Sequence, residues 1–189
     1  DDFIFPVGTV LYKDFWLGGR IIETRLLMLR QDADEATWDG LTYEWNEDLT
    51  EADLVTGGKI VAFEDVGGDP ELDFNWTYPN SAQCSACHTQ AAGYVLGAEV
   101  AQFNSDAFYP ESGVTANQLL TLDAIGYFRA PIGDVDVLPS LPESFDGSED
   151  LEARARGYLH SNCSHCHQLG TVVSSNIDFR YQAAFENTN

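Results

Sequence analysis

Residues Cys84-Ser-Ala-Cys87-His88 and Cys163-Ser-His-Cys166-His167 use all four cysteines of the chain, and two of its four histidines, in one repeated spacing. Thiols three positions apart on a helix stand on neighbouring turns, and the histidine that follows can swing beneath them. Such a pair can form thioethers to the two vinyl groups of one porphyrin while the imidazole ligates its iron, and C-x-x-C-H is the attachment pattern of haem c. Zinc sites made of paired C-x-x-C units usually place them roughly 15 to 20 residues apart, whereas residues 88–162 intervene here. A thioredoxin-like pair needs a βαβ setting, which the sequence lacks, and structural disulfides leave a histidine after each pair unexplained. The expectation is two covalently attached haem c groups, held by Cys84, Cys87, Cys163 and Cys166, with His88 and His167 as proximal ligands.

Few side chains remain for a sixth ligand: His160 and His165 are the only other histidines and Met28 the only methionine. Bis-histidine coordination of both irons would use every histidine of the chain. On a helix running through the second motif, His160 and His167 share a face about 10 Å apart along the axis, and His165 is turned about 200° from His167. Neither His160 nor His165 then caps its own haem. One of them is expected to reach the first, bringing the two groups within direct electron exchange. The second iron is left to Met28, to a histidine from another chain, or open to a small ligand. Met28 lies in the alternating run RLLMLR, where a core methionine is the ordinary reading.

The elements that position these residues differ between the halves of the chain. All four Trp precede residue 80, and every Cys and His follows residue 83. The first part reads as strands, VGTVLYKDFWL, RIIETRLLMLR, GLTYEWN, KIVAFEDV and LDFNWTY, rich in β-branched and aromatic residues with period-two alternation. Gly18-Gly19, Asp39-Gly40, Gly57-Gly58 and Gly67-Gly68 punctuate them as turns. A β-sandwich or small open barrel is expected over residues 1–79. Residues 80–189 are expected to form a mainly helical dihaem region, with helices opening at Ser81, Thr115 and Ser148. A proline-punctuated surface loop is expected over 131–147, giving an α+β protein overall.

Of the 189 residues, 44% are hydrophobic, enough for a folded core. With 31 acidic residues against nine Lys plus Arg, the formal charge is -22, which repels nucleic acid and anionic lipid. No apolar run approaches the length of a membrane span, and the start DDFIFPVG lacks the regions of a signal peptide, so a mature or trimmed chain is expected. The acidic run DADEATWDG does not match an EF-hand loop and reads as a solvated turn. Trp38, Trp45 and Trp76 at strand spacing read as core in preference to a glycan or partner surface. Arg129, Arg154 and Arg156 are scarce cations suited to haem propionates, although Arg154 and Arg156 cannot share one helix face. No Ser-His-Asp set, phosphate loop or basic stripe is visible.

The motifs resemble those of c-type cytochromes. In the order FPVGTVLYKDF, IIETRLL, YEWN, AQCSACH, NQL and LEARARGYLHSNCSHCH, the chain is similar, over most of its length, to a family of exported bacterial haem proteins. A further resemblance, resting on haem chemistry more than on sequence, is to extracellular multihaem cytochromes that polymerise into filaments. These likenesses imply an extracellular, cell-surface or periplasmic dihaem protein with a β-rich part ahead of the haem part. The function expected is electron transfer, the chain not being an enzyme, with redox proteins or extracellular acceptors as partners. Its extended form is a homo-oligomer or filament joined by an inter-subunit histidine ligand. The alternative is a dihaem enzyme, peroxidase-like or a small-molecule dehydrogenase, with one open iron.

Overall fold

The computed structural model describes residues 3–64, 73–168, 171 and 177–183. The chain divides into two compact units, Phe5–His88 and Thr89–Asn189, the latter joined by Asp1–Ile4. The first C-x-x-C-H segment therefore closes the sheet-bearing unit instead of opening the second.

In the first unit, β1 (Val10–Leu17), β2 (Arg20–Asp32), β3 (Glu35–Trp45) and β4 (Ala52–Leu54) form an antiparallel meander in that order. Gly18 and Gly19 both take positive φ, 57° and 80°, so they close a two-residue hairpin that places Leu17 opposite Arg20. The Asp39-Gly40 pair, expected as a turn, lies inside β3 opposite Met28 and Leu27; the chain reverses earlier, at Ala33 with φ 51°. The turn expected at Gly67-Gly68 falls outside the described residues. A second hairpin, β5 (Lys59–Phe63) with β6 (Phe74–Tyr78), brings Trp76 onto the sheet.

Side-chain alternation builds one face of this unit. Phe15, Glu23 and Arg25 stand together, since Phe15 pairs with Glu23 across β1 and β2, and Glu23 and Arg25 are two apart on β2. The Glu23 carboxylate is fully buried and accepts from Arg25 Nε at 2.5 Å and from Trp76 Nε1 at 2.8 Å. Trp76 also meets Phe15 edge-on at 5.5 Å, and the Arg25 guanidinium lies 4.4 Å from the Phe15 ring centroid. Buried Ile21, Ile22, Leu29 and Tyr78 complete the apolar core of the unit among the described residues. Burial, then the charges of Glu44 and Glu23, push the Tyr78 hydroxyl up to about 12. Trp38 packs on Phe5 at 5.8 Å, and Trp45 Nε1 donates to Thr24 Oγ1 at 2.9 Å.

The expectation of a mainly helical region after the sheet is corrected by the structure. Strand outweighs helix in the molecule, 33% against 21%. The helices are short: α1 (Ser81–Ser85), α2 (Val100–Phe103), α3 (Gln118–Ala124) and, the longest, α4 (Leu151–Cys163). Between α2 and α3 stands a third hairpin, β7 (Asp106–Tyr109) with β8 (Val114–Asn117). Its turn is local: the Tyr109 carbonyl accepts from the Ser112 and Gly113 amides, and Gly113 has φ 67°. Thr115, expected as a helix cap, therefore sits in β8 opposite Phe108.

The caps sit two residues or fewer from where the sequence suggested. Asn117 opens α3, its side chain accepting from Leu119 and Leu120, and Asp150 opens α4 by accepting from Ala153. α3 stops at Ala124, because Gly126 takes φ 77° just beyond it. Residues 131–147 contain no longer element than a 3-10 turn at Val135–Val137. Among the described residues, no helix is long and apolar enough to cross a membrane.

Candidate functional site

Each C-x-x-C-H segment sits at the C-terminal end of a helix, not at its start. For the first, Asn80 and Gln83 form a reciprocal capping box at 2.9 Å each way, fixing the single turn of α1 that carries Cys84. The Cys84 carbonyl then accepts from Cys87 N at 3.2 Å and His88 N at 3.0 Å. For the second, the Cys163 carbonyl accepts from Cys166 N at 3.1 Å and His167 N at 2.8 Å. One local pattern folds twice into the same hydrogen-bonded turn, and none of the four cysteines is in a disulfide.

Their surroundings differ. Cys84 is half-buried against β3: a Cβ added at Gly40 would lie 2.6 Å from Cys84 Cβ and 2.8 Å from its Sγ, so only glycine leaves room there. Burial pushes the Cys84 thiol up from its ordinary range, against the opposing charge of Arg25. Cys87 is exposed. Cys163 and Cys166 are both half-buried. The turn that bears Cys166 is tied down by Thr171 Oγ1 donating to the Cys166 carbonyl, by Gln168 Nε2 donating to Ala91 O at 3.1 Å, and by Phe179 N donating to His167 O at 3.0 Å. The His167 ring lies 5.1 Å from that of Phe179.

The residues proposed as further iron ligands are placed otherwise than a continuous helix implies. α4 ends at Cys163, so the spacing of His160 and His167 does not carry through the motif. His160 is 4% exposed, and both its ring nitrogens are engaged. Nδ1 accepts from the backbone N–H of Tyr181 at 2.9 Å, which places the ring proton on Nε2, and Nε2 donates to the Glu99 carboxylate. His165 lines a cavity of about 490 Å³ together with His160 and Glu99. Met28 stands mid-strand in β2, between Val10 and Asp39, in the other unit. Arg154 Nε donates to Ser144 O at 3.0 Å, and Arg156 Nη2 to Tyr181 O at 2.7 Å.

These placements correct the expected cofactor content of two haem c. Among the described residues, no group of three or more His, Cys, Asp or Glu side chains comes together to hold a metal ion. Of the two spare histidines in the ligand count, His160 has no ring nitrogen left to offer, and the two thiols of the first motif are divided between the sheet face and solvent. As arranged, the side chains do not form the two-haem site that the spacing led us to expect.

Two contributors were not legible in the sequence. Gly40 read as a turn because Asp-Gly is a turn dipeptide, and only the approach of α1 gives it another purpose. Glu99 had no local signal at all, since its partner His160 lies 61 residues away. Burial raises the Glu99 carboxyl pKa, but hydrogen bonds from His160 and Gln102 outweigh this and hold it below the usual carboxylate range. No protein-family model, curated protein or solved structure matches the chain.

Proposed function

We propose that the chain is an electron-transfer protein working outside the cytoplasm, with its redox chemistry at the two Cys-x-x-Cys-His turns. The observation that carries this reading is the recurrence of one turn in both units, each presenting two cysteines and a histidine around a single carbonyl. The resemblance of the motifs and flanking segments to a family of exported bacterial proteins supports the compartment. The partners are redox proteins or extracellular acceptors, and self-assembly into a homo-oligomer or filament is the extended form of the reading. A surface of net charge -22 suits a cationic partner, and electron exchange with such a partner should slow as salt rises.

The test is voltammetry of protein purified from an exporting host, alongside Cys84→Ala/Cys87→Ala and Cys163→Ala/Cys166→Ala. Each double variant is expected to lose one of two reversible waves. A wild-type protein without any wave would end the proposal. Intact mass identifies the carrier: a bare polypeptide mass assigns the electrons to the thiol pairs, and added mass at the cysteines assigns them to a covalently held group. Light scattering and electron microscopy of the same material read the assembly state.

A further inference from the structure

We propose that the cavity beside α4 binds a small organic cation through Glu99, a property independent of electron transfer. The cavity lies wholly within the second unit and, at about 490 Å³, falls in the size range of small-molecule sites. The Tyr181 N–H points at Nδ1 of His160, which leaves Nε2 as the donor to the Glu99 carboxylate. Glu99 lies on the cavity wall, and only 17% of its side chain is exposed.

The Arg180 guanidinium on the same wall is engaged elsewhere. Arg180 donates from Nε at 3.0 Å and Nη2 at 2.6 Å to the two oxygens of Asp178, a closed pair. The hydrogen bonds from His160 and Gln102 both fall on Glu99 Oε1, so Oε2 has no hydrogen bond among the described residues. A carboxylate set in a cavity wall with one oxygen outside those bonds favours a cationic ligand. Gln182 and Ser161 add hydrogen-bonding groups on the same wall, which among the described residues holds no Phe, Tyr or Trp. The ligand chemistry that fits is a protonated primary amine, anchored by charge-assisted hydrogen bonds instead of stacking.

The experiment is calorimetric titration of the whole protein with 1,4-diaminobutane at physiological ionic strength, where the acidic surface is screened, with acetate and glycerol as comparators. Wild type is expected to bind one diamine saturably and neither comparator. Glu99→Gln keeps an acceptor for His160 but loses the charge, and should weaken binding about tenfold, the difference between a charge-assisted and a neutral hydrogen bond. Glu47→Gln, on an exposed turn, should leave binding unchanged. Should Glu99→Gln not fold, Ser161→Lys on the exposed wall of the cavity supplies an internal ammonium and is expected to suppress diamine binding while raising Tm. Absence of one-to-one binding in wild type, binding of acetate or glycerol in place of the diamine, or undiminished binding in both site variants overturns the proposal.

Discussion

The two units present the same Cys-x-x-Cys-His turn but hold it by different means. In the sheet unit the turn rests on packing: α1 lies over the notch at Gly40, on a sheet whose buried apolar residues include Ile21, Ile22, Leu29 and Tyr78. In the second unit, Leu119 is the only fully buried large hydrophobic among the described residues, and the buried polar residues are His160, Ser164 and Asp178. There hydrogen bonds from distant segments hold His160 on α4 and Gln168 just after the turn. Packing is indifferent to pH and punishes added volume, whereas buried polar pins are sensitive to protonation and punish the loss of one partner.

The largest effect expected from this contrast is that of His160→Ala. It strands the Glu99 carboxylate and the Tyr181 N–H together, and should cost the second unit about 3 kcal/mol, read by chemical denaturation, while the sheet unit unfolds as before. Equal destabilisation of both units would erase the distinction. Next comes Gly40→Ala, where the new methyl would sit 2.6 Å from Cys84 Cβ. Overpacking of this kind costs about 2 kcal/mol, and it should fall on the sheet unit and speed alkylation of Cys84 as α1 lifts away.

Acidification sharpens the comparison without altering an atom of the side-chain set. The Glu99 carboxyl is held low by its bonds to His160 and Gln102 against the opposing effect of burial, and Asp178 is held low by Arg180. A carboxylate depressed in the folded state gives stability that is whole above its unfolded pKa, near 4, and is lost as pH falls through the folded value. Melting curves of the second unit should therefore decline below the ordinary carboxylate range, and Glu99→Gln should flatten that decline. The smallest effect is expected of Gly157→Ala. Its methyl would meet Pro142 O at 3.1 Å, a tight contact, yet alanine gains about 1 kcal/mol of helix propensity over glycine. The two nearly cancel, and a Tm change of more than a few degrees would show that α4 and the Pro142 loop are more rigidly joined than their packing indicates.

Local signals account for what could be read in the chain. Gly18-Gly19 closes a hairpin because two adjacent residues both need positive φ, and the C-x-x-C-H turns form because their hydrogen bonds span only three and four residues. Errors arose where a local preference had two outcomes. Thr115 and Gln118 match a capping box, but the β-turn after Tyr109 recruits Val114–Asn117 into a hairpin, and Asn117 caps the helix instead. The helix expected through the second motif ends at Cys163, which removed the geometric basis for matching His160 with His167.

By itself the sequence determined where the reactive side chains stand, their repeated spacing, the acidic surface and the hairpin at the first glycine pair, since each depends on residue type or on neighbours within a few positions. Only the tertiary structure decided that Gly40 is a seat for Cys84, that Glu99 and Tyr181 occupy both nitrogens of His160, and that Glu99 and His160 line a cavity. Those facts require segments 21 to 61 residues apart to meet, or a helix to settle on a particular strand. No periodicity along the chain encodes such meetings, because they are fixed by the packing of whole elements and by the need of every buried polar atom for a partner.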